Sequence, residues 1–386
     1  MYKLREYGSM IADKVRMDPY AYALKAAVGP DSVVLDIGTA TGIHALLAAK
    51  FGARKVYAVE SNDAIYVARE LAIANGFADQ IEFIQAVSTE VTLPEKADVV
   101  VSDLRGVLPL FGNHIPSIVD ARQRHLATGG VLIPRKDRLW VALVEARAAY
   151  NEMVKPWGRP YGLNMDFARR IALNSWSDDN SESITKRNLL MEPQEWAVLD
   201  YTSITDPNVR NGNIRGKAMR GGTATGLLVW FDAEIGHKLG FSNGPQERRY
   251  AEVYGRGFFP LLEPVAVEEG DAITLAIEAS FEDAEYDWHW STCIQEGDHP
   301  GQIKVNFKQS TSITGTFEHL PIHDGLLELR PVLGEYGKVD RFVLGQMDGR
   351  STIRQIAELV CDRFPSSFKD LNEACAYVYE LSQQVD

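Results

Sequence analysis

The sequence predicts an α/β protein: a doubly wound, mostly parallel sheet, then an antiparallel β-barrel or sandwich, then a small winged-helix-like tail. Three observations carry this reading. Between residues 31 and 135, short apolar runs bounded by turns alternate with helical stretches, as in strand–helix–strand units. From about residue 138, strand-like runs follow one another without intervening helices. From residue 326 onward, a hairpin-like stretch precedes two amphipathic helices. The predicted domains are 1–135, 136–325 and 326–386.

In chain order, residues 1–30 read as amphipathic helix. "SVVLDIG", "KVYAVES", "IEFIQAV" and "ADVVVSD" are the first strands, and "VLI" near Val131 is another. "GIHALLAAKFG" and "AIYVARELAIANG" are the helices between them. "RLWVALVEA", "EWAVLDY", "TGLLVWFDAEI", "DAITLAIEASF" and "IKVNFKQ" supply the antiparallel part, with turn signals such as Glu269-Gly270-Asp271. A protruding arm at about 157–190 is predicted from "WGRPYGLNMDFARRIALNSWSDDNSES", with a polar, mobile tip from Asp178 to Ser183. In the tail, "LLELRPVLGEYGKVDRFVL" reads as a hairpin. Ile353, Ile356, Leu359 and Val360 then recur at helical spacing, Ser351 or Thr352 caps that helix, and Phe364-Pro365 stops it. "FKDLNEACAYVYELSQQ" is the last helix.

The 386 residues are 45% hydrophobic and 24% charged, ordinary for a soluble globular protein. No apolar run reaches the roughly 18 residues of a membrane span. Met1-Tyr2-Lys3-Leu4-Arg5 leads straight into polar helical sequence, so no signal peptide is expected. Cys293, Cys361 and Cys375 are too few and too scattered for a disulfide framework or a metal site, which suits a reducing cytoplasm. A formal net charge of −13 argues against nucleic acid as the partner.

The chemistry sits in "VVLDIGTATGIHALLAAKFGARKVYAVES". A dinucleotide fingerprint needs G-x-G-x-x-G, but from Gly38 this chain offers Ala40 and Ile43 at the later positions. What fits is an acid followed by two spaced glycines: Asp36, Gly38 and Gly42. Glycine lets the backbone approach a ligand closely, and the helix N-terminus that follows suits an anion. Glu60, with Ser61 beside it, ends the next strand about 20 residues on, where an acid holds ribose hydroxyls. This pattern resembles motif I of class I S-adenosylmethionine-dependent methyltransferases, which implies a Rossmann-like domain and that cofactor.

"MIADKVRMDPYAYAL", "STEVTLP", "PWGRPYGLNM", "VWFDAEI", "GFSNGP" and "EPVAVEEGDAI" extend the likeness over roughly residues 7–315. They resemble protein arginine methyltransferases. The resemblance implies a Rossmann-plus-barrel fold and a head-to-tail homodimer. It pairs Arg16 with the methionine carboxylate, sets Met10 beside the sulfonium, and brings Ser88 and Thr89 near the adenine. The family's paired acids that clamp guanidinium are not both present. In "SDLRGVLPLFGN" Asp103 takes the first position, Gly112 is nearest the second, and Arg105 enters the loop. The Thr-His-Trp loop of the family is replaced by "YAEVYGRGFF", with Tyr254 near the histidine position. A pocket that loses a carboxylate and gains an arginine favours an acidic acceptor such as a peptide C-terminus; the other reading of Arg105 is a solvated loop charge. Asp103, Arg105, Tyr7, His114 and Tyr254 are the expected catalytic residues. His44 reads as a packing residue. His289, in "YDWHWST", is either a satisfied barrel histidine or part of the acceptor site.

"FVLGQMDGRSTIRQIAELVCDRF" resembles the PqqD-like domain, the recognition element that binds leader sequences of ribosomally made, modified peptides. By that resemblance the leader adds to a hairpin edge at 326–345 and lies against a helix at about 367–383. Six Lys+Arg against nine Asp+Glu between Glu335 and Asp386 make the tail a poor fit to duplex DNA; an association or lid module is the other reading. The expectation is therefore an S-adenosylmethionine-dependent methyltransferase of a ribosomally made peptide, leader plus core. Its alternatives are an arginine N-methyltransferase and a non-catalytic cofactor-binding scaffold.

Overall fold

Branched apolar residues drive the first sheet. In the computed structural model, which describes residues 3–178, 184–297, 299, 301–312, 333, 335–365 and 367–382, the chain forms two compact units, Met1–Leu320 and Pro321–Asp386. The first unit opens with α1 (Leu4–Ala12) and α2 (Lys14–Ala27). The amphipathic stretch is two helices rather than one, because Asp13 leaves helical geometry and its carboxylate accepts the Arg16 amide at 3.2 Å, capping α2. There follow β1 (Val33–Ile37), α3 (Ile43–Lys50), β2 (Lys55–Glu60), α4 (Ala64–Asn75), β3 (Ile81–Gln85), β4 (Ala97–Ser102), α5 (His114–Arg124) and β5 (Leu126–Ile133). The five strands are parallel in the order β3-β2-β1-β4-β5. Every residue of β1 is buried, as a central strand covered on both faces requires. Strand order reverses between β1 and β4, so a crevice opens at their carboxyl ends.

Only Pro134 and Arg135 separate β5 from β6 (Lys136–Val144). The chain then projects α6 (Arg147–Val154) and α7 (Asp166–Leu173) and returns through β7 (Ser177–Asp178), which pairs with β12. Asp178 thus belongs to a strand, opposite Gly257, while the rest of the expected mobile tip, 179–183, lies outside the described residues. The remaining strands are β8 (Gln194–Asp200), β9 (Val209–Lys217), β10 (Gly222–Gly236), β11 (Leu239–Ser242), β12 (Gly257–Val267), β13 (Ala272–Glu282), β14 (Glu285–Gln295) and β15 (Ile303–Ser310). They make two antiparallel sheets, β7-β12-β10-β6-β8 with β11 on β10, and β15-β14-β13-β9. Position 135 is no gap in the packing. Leu24, Val34, Val101, Trp230, Phe258 and Trp288 belong to one continuous apolar core that spans both sheet systems.

The second unit corrects the expected hairpin. Residues 326–332 and 334 lie outside the described residues, but Glu335–Gln346 is a helix, α8. Val339 and Val343 are four apart and both buried, a spacing that matches a helix face. The two helices expected after it form as α9 (Ile353–Arg363) and α10 (Leu371–Ser382), and Thr352 caps α9 by accepting the Gln355 amide. Val339, Val343, Ile356, Val360, Ala374 and Val378 make a small separate core. No described helix is long and apolar enough to cross a membrane.

Asp36 fixes the turn after β1. Its Oδ2 accepts the Thr39 hydroxyl at 2.6 Å and the Ala45 amide at 3.0 Å, while among the described residues its buried Oδ1 has no hydrogen-bond partner. Burial pushes this carboxyl up from 3.8 to about 7. A raised native-state value means that the native chain holds the proton more tightly. The contribution to stability is full below 3.8 and is lost as pH rises through about 7. Wild type should therefore lose stability against Asp36→Asn across that window, read as denaturation midpoints at several pH values; parallel midpoints would contradict the assignment.

Candidate active site

A cleft of about 550 Å³ lies where β1, β2 and β4 end. The turn after β1 forms its floor. Gly38 and Gly42 have φ of +70° and +89°, and a Cβ on Gly38 would come within 2.3 Å of Leu104 Cδ2. Ala40, at φ +51°, is held in the same left-handed region despite its side chain. Glu60 holds it there: Oε2 accepts the Ala40 amide at 2.9 Å, and Oε1 accepts the Asn62 main-chain and side-chain amides at 3.1 and 2.6 Å. These use three of the roughly four lone-pair positions of a carboxylate. A buried acid with spare acceptor capacity, a turn cleared of side chain, and cleft walls from Ser61, Ser88, Tyr7 and Met10 fit the ribose and amino-acid ends of S-adenosylmethionine.

Three predicted cofactor residues stand behind that surface. Asp36 and Gly42 act through the turn, Gly42 against Ala68, and are not among the cleft-lining residues. Thr89 is exposed in a short turn, Ser88–Glu90, one residue past the wall. His44, which also lines the cleft, stacks on Tyr20 with ring centroids 4.7 Å apart. Burial, aided by Arg16, pulls its value down to about 3, so it packs there neutral.

Asp103, just after β4, is the most heavily partnered acid of the cleft. Arg16 meets its Oδ2 through Nε and Nη2, both at 2.6 Å. The Tyr254 hydroxyl donates to the same oxygen at 2.6 Å, and accepts from Arg16 Nε at 3.2 Å. Burial alone would raise the Asp103 carboxyl, but Arg16 and Arg105 outweigh it and hold Asp103 well below the carboxylate range. Tyr254 is pushed up, by burial first and then by Asp103, and stays protonated. Sequence reasoning brings Arg16, Asp103 and Tyr254 to the same cleft, although it does not foresee that they bind one another.

Arg105 is neither an exposed charge nor a cation for an acidic acceptor. Its side chain is fully buried. Nε and Nη2 each donate to Asp137 at 2.7 Å, a two-pronged pair, and Nη1 donates to the Tyr20 hydroxyl at 2.7 Å and to Asp103 at 3.1 Å. The rings of Phe231 and Phe241 cover the guanidinium at 5.7 and 6.0 Å. Asp137 and Tyr201, which complete this network, are not among the residues the sequence reading singles out. The Tyr201 hydroxyl donates to Asp137 at 2.6 Å and meets His114 Nε2 at 2.9 Å. His289 lies on β14 of the four-stranded sheet, opposite Glu278, and is not among the residues lining the cleft.

Comparison with known proteins agrees with this geometry. Residues 21–154 match the model of the ribosomal protein L11 methyltransferase, PrmA, and residues 135–291 that of the arginine methyltransferase oligomerization subdomain. The chain is 31% identical over 280 residues to the probable protein arginine N-methyltransferase 1.2 of Arabidopsis thaliana, covering 69% of this chain and 74% of that one. It is 33% identical over 240 residues to protein arginine N-methyltransferase 6 of Danio rerio, covering 58% and 67%. The crystal structure of Arabidopsis thaliana protein arginine methyltransferase 10 is similar with a TM-score of 0.68 at 25% identity, covering 80% of this chain and 97% of that one. A Trypanosoma brucei enzyme–prozyme complex shares the fold, with a TM-score of 0.69 at 22% identity, covering 79% and 96%. These relatives, with the sequestered Arg105 and the helical 335–346 segment, overturn the expected peptide-maturation enzyme with an acidic acceptor and a leader-binding hairpin. The chain belongs to the protein arginine N-methyltransferase family and is an S-adenosylmethionine-dependent methyltransferase.

Proposed function

We propose that the chain transfers a methyl group to a guanidinium nitrogen of arginine in a protein or peptide, with Asp103 as the acid that receives the acceptor. The pairing of Arg105 with Asp137 carries this reading. It neutralises the cation that would repel a guanidinium, so the acids that line the cleft, Glu60, Asp103 and Asp178, set the sign of its field. Arg16 and the paired Arg105 both line the cleft beside Asp103, and Arg16 is the one that does not bond to Asp137. It is suited to the carboxylate of the bound cofactor, which loosens its hold on Asp103.

S-adenosylmethionine, when bound, supplies a methyl group already activated on a sulfonium. The chain's own work is alignment. Glu60 and the Gly38 turn hold the ribose end, Met10 and Tyr7 close the near side, and Tyr254 keeps the Asp103 carboxylate turned toward the cleft. Ser61 and Ser88 flank the nucleoside. With one acid where the family has two, the acceptor is held less tightly and selectivity for arginine is lower than a two-acid clamp gives.

The arm supports self-association. Tyr161, Leu163, Phe167 and Ile171 are exposed on or beside α7, and they fall within the stretch that matches the oligomerization subdomain. A homodimer through this arm is part of the proposal.

Asp103→Asn is expected to lower kcat/KM for an arginine peptide by about 100-fold, equivalent to about 2.7 kcal/mol at the transition state. Cofactor affinity should change by less than about threefold, measured by calorimetry. An unchanged rate would remove Asp103 from the acceptor site. Glu60→Gln is expected to do the opposite, weakening cofactor binding by about 10–100-fold. The KM for peptide should stay near wild type in steady-state assays at saturating cofactor.

A further inference from the structure

His114 is the first residue of α5, two residues beyond Gly112, and lines the same cleft as Asp103 and Tyr254. Its hydrogen bonds fix its tautomer. The Asp137 carboxylate can only accept, so the Tyr201 O–H donates to it. The Tyr201 oxygen is then left to accept from His114 Nε2. Nε2 carries the ring proton, and Nδ1 presents a lone pair. Burial first, and then Arg105, pull the imidazole down to about 3, so the ring stays neutral.

Among the described residues Nδ1 has no hydrogen-bond partner, although His114 is only 1% exposed. A buried acceptor left unpaired costs about 1–3 kcal/mol, and such atoms are rare enough to require a reason. Asp103 has little acceptor capacity left. Its Oδ2 already takes bonds from Arg16 and Tyr254, and its Oδ1 takes one from Arg105. A guanidinium brings five N–H donors, more than that carboxylate has positions left to receive.

We propose that His114 Nδ1 accepts an N–H of the acceptor guanidinium, standing where the family's second acid is missing. The inference rests on the arginine reading above. It adds that the second contact is a neutral imidazole, oriented by the Tyr201–Asp137–Arg105 chain. That chain gives the buried network a task in addition to neutralising Arg105: it keeps the proton on Nε2 and the lone pair on Nδ1. His114 is thus a substrate-binding residue, and Tyr201 and Asp137 are positioning residues behind it.

Two substitutions separate this from a structural role. Asparagine puts an oxygen near the place of Nδ1 and gives up the bond to Tyr201. Glutamine puts an amide N–H near the place of Nε2 and gives up the acceptor. The probe is a blocked pentapeptide with a central arginine, titrated calorimetrically into the full chain with S-adenosylhomocysteine present. The same peptide with lysine is the control. His114→Gln is expected to weaken arginine-peptide binding by ~10-fold or more, and His114→Asn by less than ~3-fold. Both variants should bind S-adenosylhomocysteine like wild type. The reverse order, or full affinity in His114→Gln, would overturn the inference while leaving the arginine reading standing. Equal affinity of wild type for the arginine and lysine peptides would overturn both.

Discussion

The two-pronged pair between Arg105 and Asp137 is the constraint on which the cleft depends. A guanidinium buried without a partner would cost far more than the fold can spare, since whole domains are stable by only about 5–15 kcal/mol. Asp137 removes that cost, and the Phe231 and Phe241 faces complete the enclosure. The pair also joins two parts of the chain: Arg105 follows β4 of the parallel sheet, and Asp137 is on β6 of the antiparallel one. With both sheets in a single apolar core, this ion pair works as a polar rivet inside it. Removing either partner would leave the other charged and buried, which typically costs 3–5 kcal/mol.

From that rivet the electrostatics of the site follow. Arg105 contributes its remaining donors to Tyr20 and Asp103, and Asp103 is then shared with Arg16 and Tyr254. The two arginines and two aspartates balance, while Glu60 adds a further buried acid where β2 ends. Beside the cleft the paired arginines and aspartates thus form a charge-balanced, hydrogen-bonded lattice. Such a lattice is rigid, because each member is held from more than one side. It suits a reaction in which the protein aligns an activated donor with a nucleophile and supplies little chemistry of its own.

Much of this was legible in the sequence. Alternating apolar runs gave the parallel sheet, and the spacing of Asp36, Gly38, Gly42 and Glu60 gave the cofactor turn, because those are local patterns with local causes. The long-range partners were not legible. Nothing in "SDLRG" indicates that Arg105 meets Asp137 across 32 positions, so the sequence leaves it as either a pocket cation or a solvated loop charge. A free arginine favours an acidic acceptor, and a buried, paired one does not. The hairpin assigned to 326–345 failed for another reason. "EYGKVDRFVLGQ" carries Val339 and Val343 four apart, a helical spacing that two positions alone do not distinguish from a strand's alternation. At residue 135 the chain passes from one sheet system to the other inside a single shared core.

The account stands on the claim that the nitrogen of an arginine side chain is what this cleft methylates. Full-length protein incubated with S-adenosylmethionine bearing a trideuterated methyl group, and with peptides of arginine, lysine and free C-terminal carboxylate, tests it directly once the products are fragmented in a mass spectrometer. The account requires the label on the guanidine group of arginine, stable to mild base. Label on lysine or on a carboxylate oxygen, or none on any peptide while the cofactor binds, would contradict it.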